Sequence, residues 1–266
     1  MPPLVRATIL SLSLLIAAIV GVSVAPWLVS SRGVPGPSML HAQSPTEAVL
    51  AVVILFGLLT TLGAAAARYI GVSSGFLILG FGLFALAWRL EGVRELLLSG
   101  SDVHLLVVEA GMIAVLLLGA GWAMCAAGGE VEDQPVPNAT RCSSASVGWG
   151  IMLAASILPV VWLLARSPMK GQLIGAAFVG GVAVAFLARR FRPDVQLFIL
   201  IAAPSAVAAL GYVLALVWSG SDLHVQFIRQ SLSPLLLPMP FEYAAGTVLG
   251  VALGLRWTEP AAEPGG

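Results

Sequence analysis

Residues 99–104 read SGSDVH, and residues 219–224 read SGSDLH, the same polar hexamer 120 positions later in a chain that is 59% hydrophobic and 10% charged. Ordinary soluble domains carry about a quarter charged residues, so the surroundings of the hexamer identify a membrane protein. Apolar windows long enough to cross a hydrocarbon core of roughly 30 Å lie near 7–29, 46–67, 74–98, 103–124, 147–166, 169–188, 195–218 and 239–257. The runs are continuous, whereas barrel strands alternate polar and apolar residues, so the spans are expected to be helices. The first run follows a single Arg6 as a secretory leader would, but it is too long for one and is read as a helix.

Both copies of the hexamer close a third span and open the next element. Ser44-Pro45 and Ser167-Pro168 open spans two and six, Ala67-Arg68 and Ala188-Arg189 close them, and GMIAVLLLGAGW (111–122) matches GTVLGVALGLRW (246–257). The expected fold is an all-α integral membrane protein of eight transmembrane helices. These form two parallel four-helix repeats, residues 1–127 and 147–266, joined by a polar linker at 128–146 and related by a pseudo-two-fold axis along the membrane normal. The hexamer itself has a local rationale. Gly100 and Gly220 can end one helix, and Ser101 or Asp102, and Ser221 or Asp222, can cap the next, a tight turn inherited by duplication.

Thirteen basic residues balance thirteen acidic ones, so there is no basic field for nucleic acid. Cys125 before the linker and Cys142 near its end show no metal-ligand spacing. Arg6, Arg68, Arg141, Arg189, Arg190, Arg192 and Arg256 share one membrane face; Arg32, Arg89, Arg94, Arg166, Lys170 and Arg229 share the other. The dense ARRFRPD loop favours the first face as cytoplasmic, with both termini inside a bacterial-type inner membrane, and the sequon at Asn138 is then fortuitous.

Intramembrane charge is the main pointer to function. Span three ends FALAWRLEGVRELLLSG; if helical to its turn it carries Arg89 into the bilayer, with Glu91, Arg94 and Glu95 behind it, and if it stops near Leu90 the remainder is an interfacial segment. Glu109 lies seven residues after Asp102 on nearly the same helix face. Aligned from the hexamer it corresponds to Arg229, an ion pair across the axis. Aligned from the carboxyl ends it approaches the equivalent of Glu242, giving an acid pair suited to a proton or cation. Residues 225–240, VQFIRQSLSPLLLPMP, form a Pro-broken insertion, either a re-entrant hairpin lining a cavity or an interfacial helix with an irregular lead-in.

His41, His104 and His224 fall on one face; His104 and His224 occupy equivalent positions, as a metal or haem pair would. Gly171, Gly175, Ala176 and Gly180, and Gly75, Gly80 and Gly82, are expected at close helix contacts. No catalytic motif appears and the loops are short, which argues against an enzyme and requires no cofactor. Three functions are compatible with these residues: transport or ion conduction of a small solute between the repeats, a non-catalytic membrane subunit docking other subunits in the lipid bilayer, and a redox module holding haem or quinone.

Overall fold

The computed structural model describes residues 2–100, 102–128, 144–219 and 223–257. The linker, Cys142, the sequon, Ser101 and the Gly220-Ser221-Asp222 part of the second hexamer lie outside the described residues. The helices are α1 (Pro3–Val24), α2 (Pro45–Ile70), α3 (Val72–Arg89), α4 (Val93–Leu98), α5 (Leu105–Ala127), α6 (Ser144–Ala154), α7 (Ile157–Leu164), α8 (Lys170–Phe191), α9 (Leu197–Ser219), α10 (Leu223–Ile228) and α11 (Pro240–Trp257), with 3₁₀ turns at Ala25–Trp27 and Pro234–Leu236.

Among the described residues, seven helical stretches are long and apolar enough to cross a membrane, where hydropathy leads one to expect eight: Leu4–Trp27, Pro45–Ile70, Val72–Arg89, Leu105–Ala127, Ala145–Leu164, Lys170–Phe191 and Leu197–Ser219. The one that falls short is α11. It is the innermost helix, with Phe241, Glu242, Tyr243, Val248, Val251 and Leu255 all buried, so its surface is matched to protein rather than to lipid. Leu4, Leu12, Leu15 and Ile19 of α1 are exposed instead, as suits an outer helix.

The third span takes the shorter of its two expected forms. α3 stops at Arg89, where Leu90 turns extended (ψ 158°), and Lys170 Nζ donates to the freed carbonyls of Ala87 and Trp88 at 3.3 and 3.2 Å. EGVRELLL therefore becomes a short separate helix, α4. The turn after it behaves as the hexamer implies: Gly100 takes φ +65°, and Asp102 Oδ1 accepts the His104 N–H at 2.9 Å. Ser44, by contrast, makes no side-chain cap on α2.

Helix α11 packs chiefly on α8 and α3, and α5 packs on α9 and α2. α1 lies on α3, and α6 on α9. The α8–α11 contact depends on missing side chains. A Cβ on Gly246 would sit 2.5 Å from the Ile174 carbonyl oxygen, one on Gly181 2.6 Å from that of Thr247, and one on Gly250 would collide with the Phe178 carbonyl. A Cβ on Gly75 would similarly sit 2.6 Å from the Gly63 carbonyl oxygen, one on Gly80 would meet Leu249 of α11, and one on Gly82 would meet Leu59. Gly171 and Gly175 do not follow the expectation, for they face open space; the side of α8 turned to α11 carries Ile174, Phe178 and Gly181.

Candidate functional site

The connection between α1 and α2, residues 28–44, folds back onto the helix ends as an ordered cap. A bridge between Val29 and Pro35 closes its first limb, and the Ser30 N–H donates to the Val34 carbonyl at 2.8 Å. Gly36 then lies against the backbone at Leu28, where a Cβ would come 2.7 Å from the Leu28 oxygen. Its own carbonyl takes the Glu91 N–H at 3.2 Å. Glu95 of α4 ties down the same limb, accepting from Ser30 Oγ and from Arg32 Nη1, each at 3.0 Å. A nearly buried carboxylate with a half-exposed guanidinium and a hydroxyl is a satisfied group, so Glu95 is accounted for as a fastener of the cap.

The second limb enters the protein. Ser38 and Met39 are fully buried, and the Met39 and Leu40 N–H groups donate to Glu109 Oε1 and Oε2 at 3.2 and 3.3 Å. Glu109 itself, in the second turn of α5, has no solvent exposure. The Ser38 side chain also lies within interaction range of this carboxyl. Ser38 Oγ stands 2.6 Å from His41 Nδ1, and His41 Nε2 stands 2.9 Å from the Asp102 carbonyl oxygen in the hexamer turn. Burial holds the His41 imidazole below its ordinary value of 6.5, opposed by the bond to the Asp102 carbonyl and by the Asp102 charge. The neutral ring is thus the form the folded cap prefers. His41 stabilises it fully above about pH 6.5, and that contribution is lost as the pH falls through the lower folded-state value.

The insertion at 225–240 provides a second, similar cap. α10 ends where Gln230 enters the left-handed region (φ 56°), and a 3₁₀ turn with buried Leu235 and Leu236 leads into α11. Here the Met239 N–H donates to Glu242 Oε2 at 2.8 Å. Each of the two buried carboxyls is thus held by the backbone of a methionine in a loop folded over it.

Tyr212 of α9 joins the two. Its fully buried hydroxyl donates to the Pro238 carbonyl at 2.7 Å, its ring meets Tyr243 edge to face at 5.8 Å, and it lies within electrostatic reach of both Glu109 and Glu242. Three buried oxygens in and near this cluster, Glu242 Oε1, Tyr243 Oη and Ser205 Oγ, have no protein partner. Ser205 precedes Tyr212 by seven residues, and therefore lies within about 20° of the same face of α9, roughly two turns deeper. At the opposite membrane face Arg256 Nη2 donates to the buried Ser74 Oγ at 2.8 Å, again between α11 and α3.

Arg229 does not reach Glu109. It sits exposed in the turn after α10, and Glu109 is served by backbone donors, so the ion pair across the axis is absent among the described residues. Arg89, Glu91 and Arg94 are exposed around the α3–α4 break. Lys170 lies within electrostatic reach of Glu242 and Glu91, yet it directs its hydrogen bonds to the end of α3. His104 is exposed, while His224 Nε2 lies 2.6 Å from the Leu97 carbonyl oxygen of α4. No cluster of three His, Cys, Asp or Glu side chains forms a metal-type group among the described residues.

Tyr212, Tyr243, Ser38 and Ser205 escape the sequence analysis. Tyr212 had a visible signal, a hydroxyl-bearing side chain alone in the uncharged run AALGYVLALVW. No family model, curated protein or solved structure matches the chain.

Proposed function

We propose that the protein moves a proton or small cation across the bilayer along the interface between two four-helix halves, with Glu109 and Glu242 as its binding groups and Tyr212 between them. One observation carries this reading: two carboxyls are buried, neither is ion-paired among the described residues, and both lie within reach of a single buried tyrosine. An unpaired carboxylate in a low-dielectric interior is stable only when something offsets its charge, and the mobile candidates are a proton and a cation. The orphan oxygens of Glu242, Tyr243 and Ser205 extend the polar line inward, and Ser74 with Arg256 continues it at the far face.

In this reading α11 is the eighth span, and its 18 residues give about 27 Å of helix, enough for a hydrocarbon core. The halves are residues 1–127 and 147–266, joined by 128–146, and they are parallel repeats. Support comes from the exchanged contacts of α5 on α9 and α3 on α11, and from His224 meeting the end of α4 beside the first hexamer. The inner membrane, with both termini cytoplasmic, is the proposed location.

Cysteine accessibility tests the path. With Cys125 and Cys142 replaced by serine, Ser205→Cys in proteoliposomes is expected to react with a membrane-impermeant cationic thiol reagent. A thiol that resists the reagent from both faces and reacts only after denaturation would mark the interface as a sealed core.

A further inference from the structure

We infer that Ser38 and His41 form the proton path between Glu109 and the water at the membrane face that carries residues 28–44. This rests on the transport reading above and specifies how its first binding group is loaded. The geometry is a continuous chain of exchangeable groups. Ser38 Oγ stands 2.6 Å from His41 Nδ1 and, next to the Met39 N–H that binds the Glu109 carboxyl, interacts with that carboxyl, while His41 Nε2 points to the Asp102 carbonyl at 2.9 Å. Only the outer end of the chain meets water, since Ser38 and Glu109 have no exposure, His41 is 8% exposed, and Asp102 is exposed.

The charged and titratable groups around the path are Glu109 on α5, Tyr212 on α9 within electrostatic reach of Glu109, Asp102 in the turn, and the Glu95–Arg32 pair on the first limb of the cap. Glu95 and Arg32 neutralise each other, which leaves Asp102 as the charge that favours a protonated His41.

A proton leaving Glu109 passes to Ser38 Oγ while the Ser38 hydroxyl proton passes to His41 Nδ1. Glu109 is then a carboxylate, Ser38 is again a hydroxyl and His41 is an imidazolium. His41 next gives its Nε2 proton to water and returns to neutrality as the Nδ1–H tautomer. Loading is the reverse: water protonates Nε2, and the Nδ1 proton returns through Ser38. One proton is transferred and no other bond changes. The Asp102 carbonyl takes no proton; its bond holds Nε2 at the exit, and the exposed turn lets that bond yield to water.

Infrared spectroscopy after a rapid pH jump reads the path directly. In a Glu242→Gln background the full-length protein in lipid shows the Glu109 carboxyl stretch with time. Ser38→Ala and His41→Gln are each expected to slow its change at least about tenfold, a small part of what a positioned proton-transfer group typically contributes. Ser38→Thr, which keeps the hydroxyl, is expected to restore the rate. His41→Gln, which does not touch the carboxyl, is expected to leave the titration midpoint in place, whereas Ser38→Ala removes a group that interacts with the carboxyl and is expected to move it; a purely structural role of either residue would leave the rate unchanged. Rates equal to the parent in a folded Ser38→Ala or His41→Gln protein, or a Glu109 band that never responds to pH, overturn the path. The two variants act on different groups, so if one misfolds the other carries the same test. Slowed exchange in a parent protein that supports no flux would retain the path and remove the transport reading. Equal rates with flux intact would do the opposite.

Discussion

Replacing Glu109 with glutamine is expected to reduce ion flux through the reconstituted protein to the leak of protein-free vesicles, while the protein still elutes as a folded species. Oε1 of Glu109 accepts the Met39 N–H and Oε2 the Leu40 N–H. Glutamine has one acceptor oxygen, so one of these N–H groups then faces an amide NH₂ and loses its partner. Leaving a buried donor unsatisfied costs about 1–3 kcal/mol. That loosens the second limb of the cap without unfolding a bundle held elsewhere by its helix contacts. The lost function therefore has a separate cause from the small loss of stability: glutamine neither releases a proton nor offers a charge to a cation. Glu109→Asp separates the two effects. It retains the charge and both acceptor oxygens on a side chain one methylene shorter, so partial flux is expected to return. Full flux in a folded Glu109→Gln protein would remove this residue from the mechanism.

Gly250→Val is expected to be the most damaging single substitution in the bundle interior, costing about 3 kcal/mol or more in unfolding free energy. Small-to-large changes in well-packed cores typically cost about 1–3 kcal/mol. Here the obstacle is backbone, because a Cβ at 250 collides with the Phe178 carbonyl and lies 3.0 Å from the Val182 nitrogen. A flexible side chain could step aside; the backbone of α8 cannot, so α8 and α11 must separate and lose their van der Waals contact. Gly175→Ala is the matched control on α8. No atom lies within 4 Å of where its Cβ would go, and alanine replaces glycine inside a helix, so it is expected to be neutral or to stabilise by up to about 1 kcal/mol. Thermal unfolding in detergent compares them. Equal midpoints for the two variants would contradict the close packing of α8 and α11.

Much of the architecture is legible in the sequence because lipid imposes a coarse rule, long apolar runs. Where the rule fails, the reason is physical. Helix α11 is less apolar than the seven other long helices, as suits a helix that contacts protein almost all round and needs small residues more than apolar ones. The sequence leaves open whether α3 ends near Leu90, and the contact that favours that end is Lys170 donating to the carbonyls of Ala87 and Trp88, 83 and 82 residues away, a tertiary contact no local pattern records. Glu109 stands out as an acid within an apolar run, but its partners do not. They are the N–H groups of Met39 and Leu40, and a backbone donor leaves no trace in residue identity. The Arg229 pairing fails for a related reason: the alignment assumes continuous helix after the second hexamer, whereas α10 ends at Ile228 and leaves Arg229 in an exposed turn.

Flux itself is the most direct measurement. Purified protein in liposomes is exposed in turn to a pH gradient and to gradients of sodium and potassium, with the membrane potential clamped. The account predicts that at least one of these gradients collapses several-fold faster than in protein-free vesicles. Gradients that all decay at the protein-free rate, with correctly folded protein in the membrane, would contradict it.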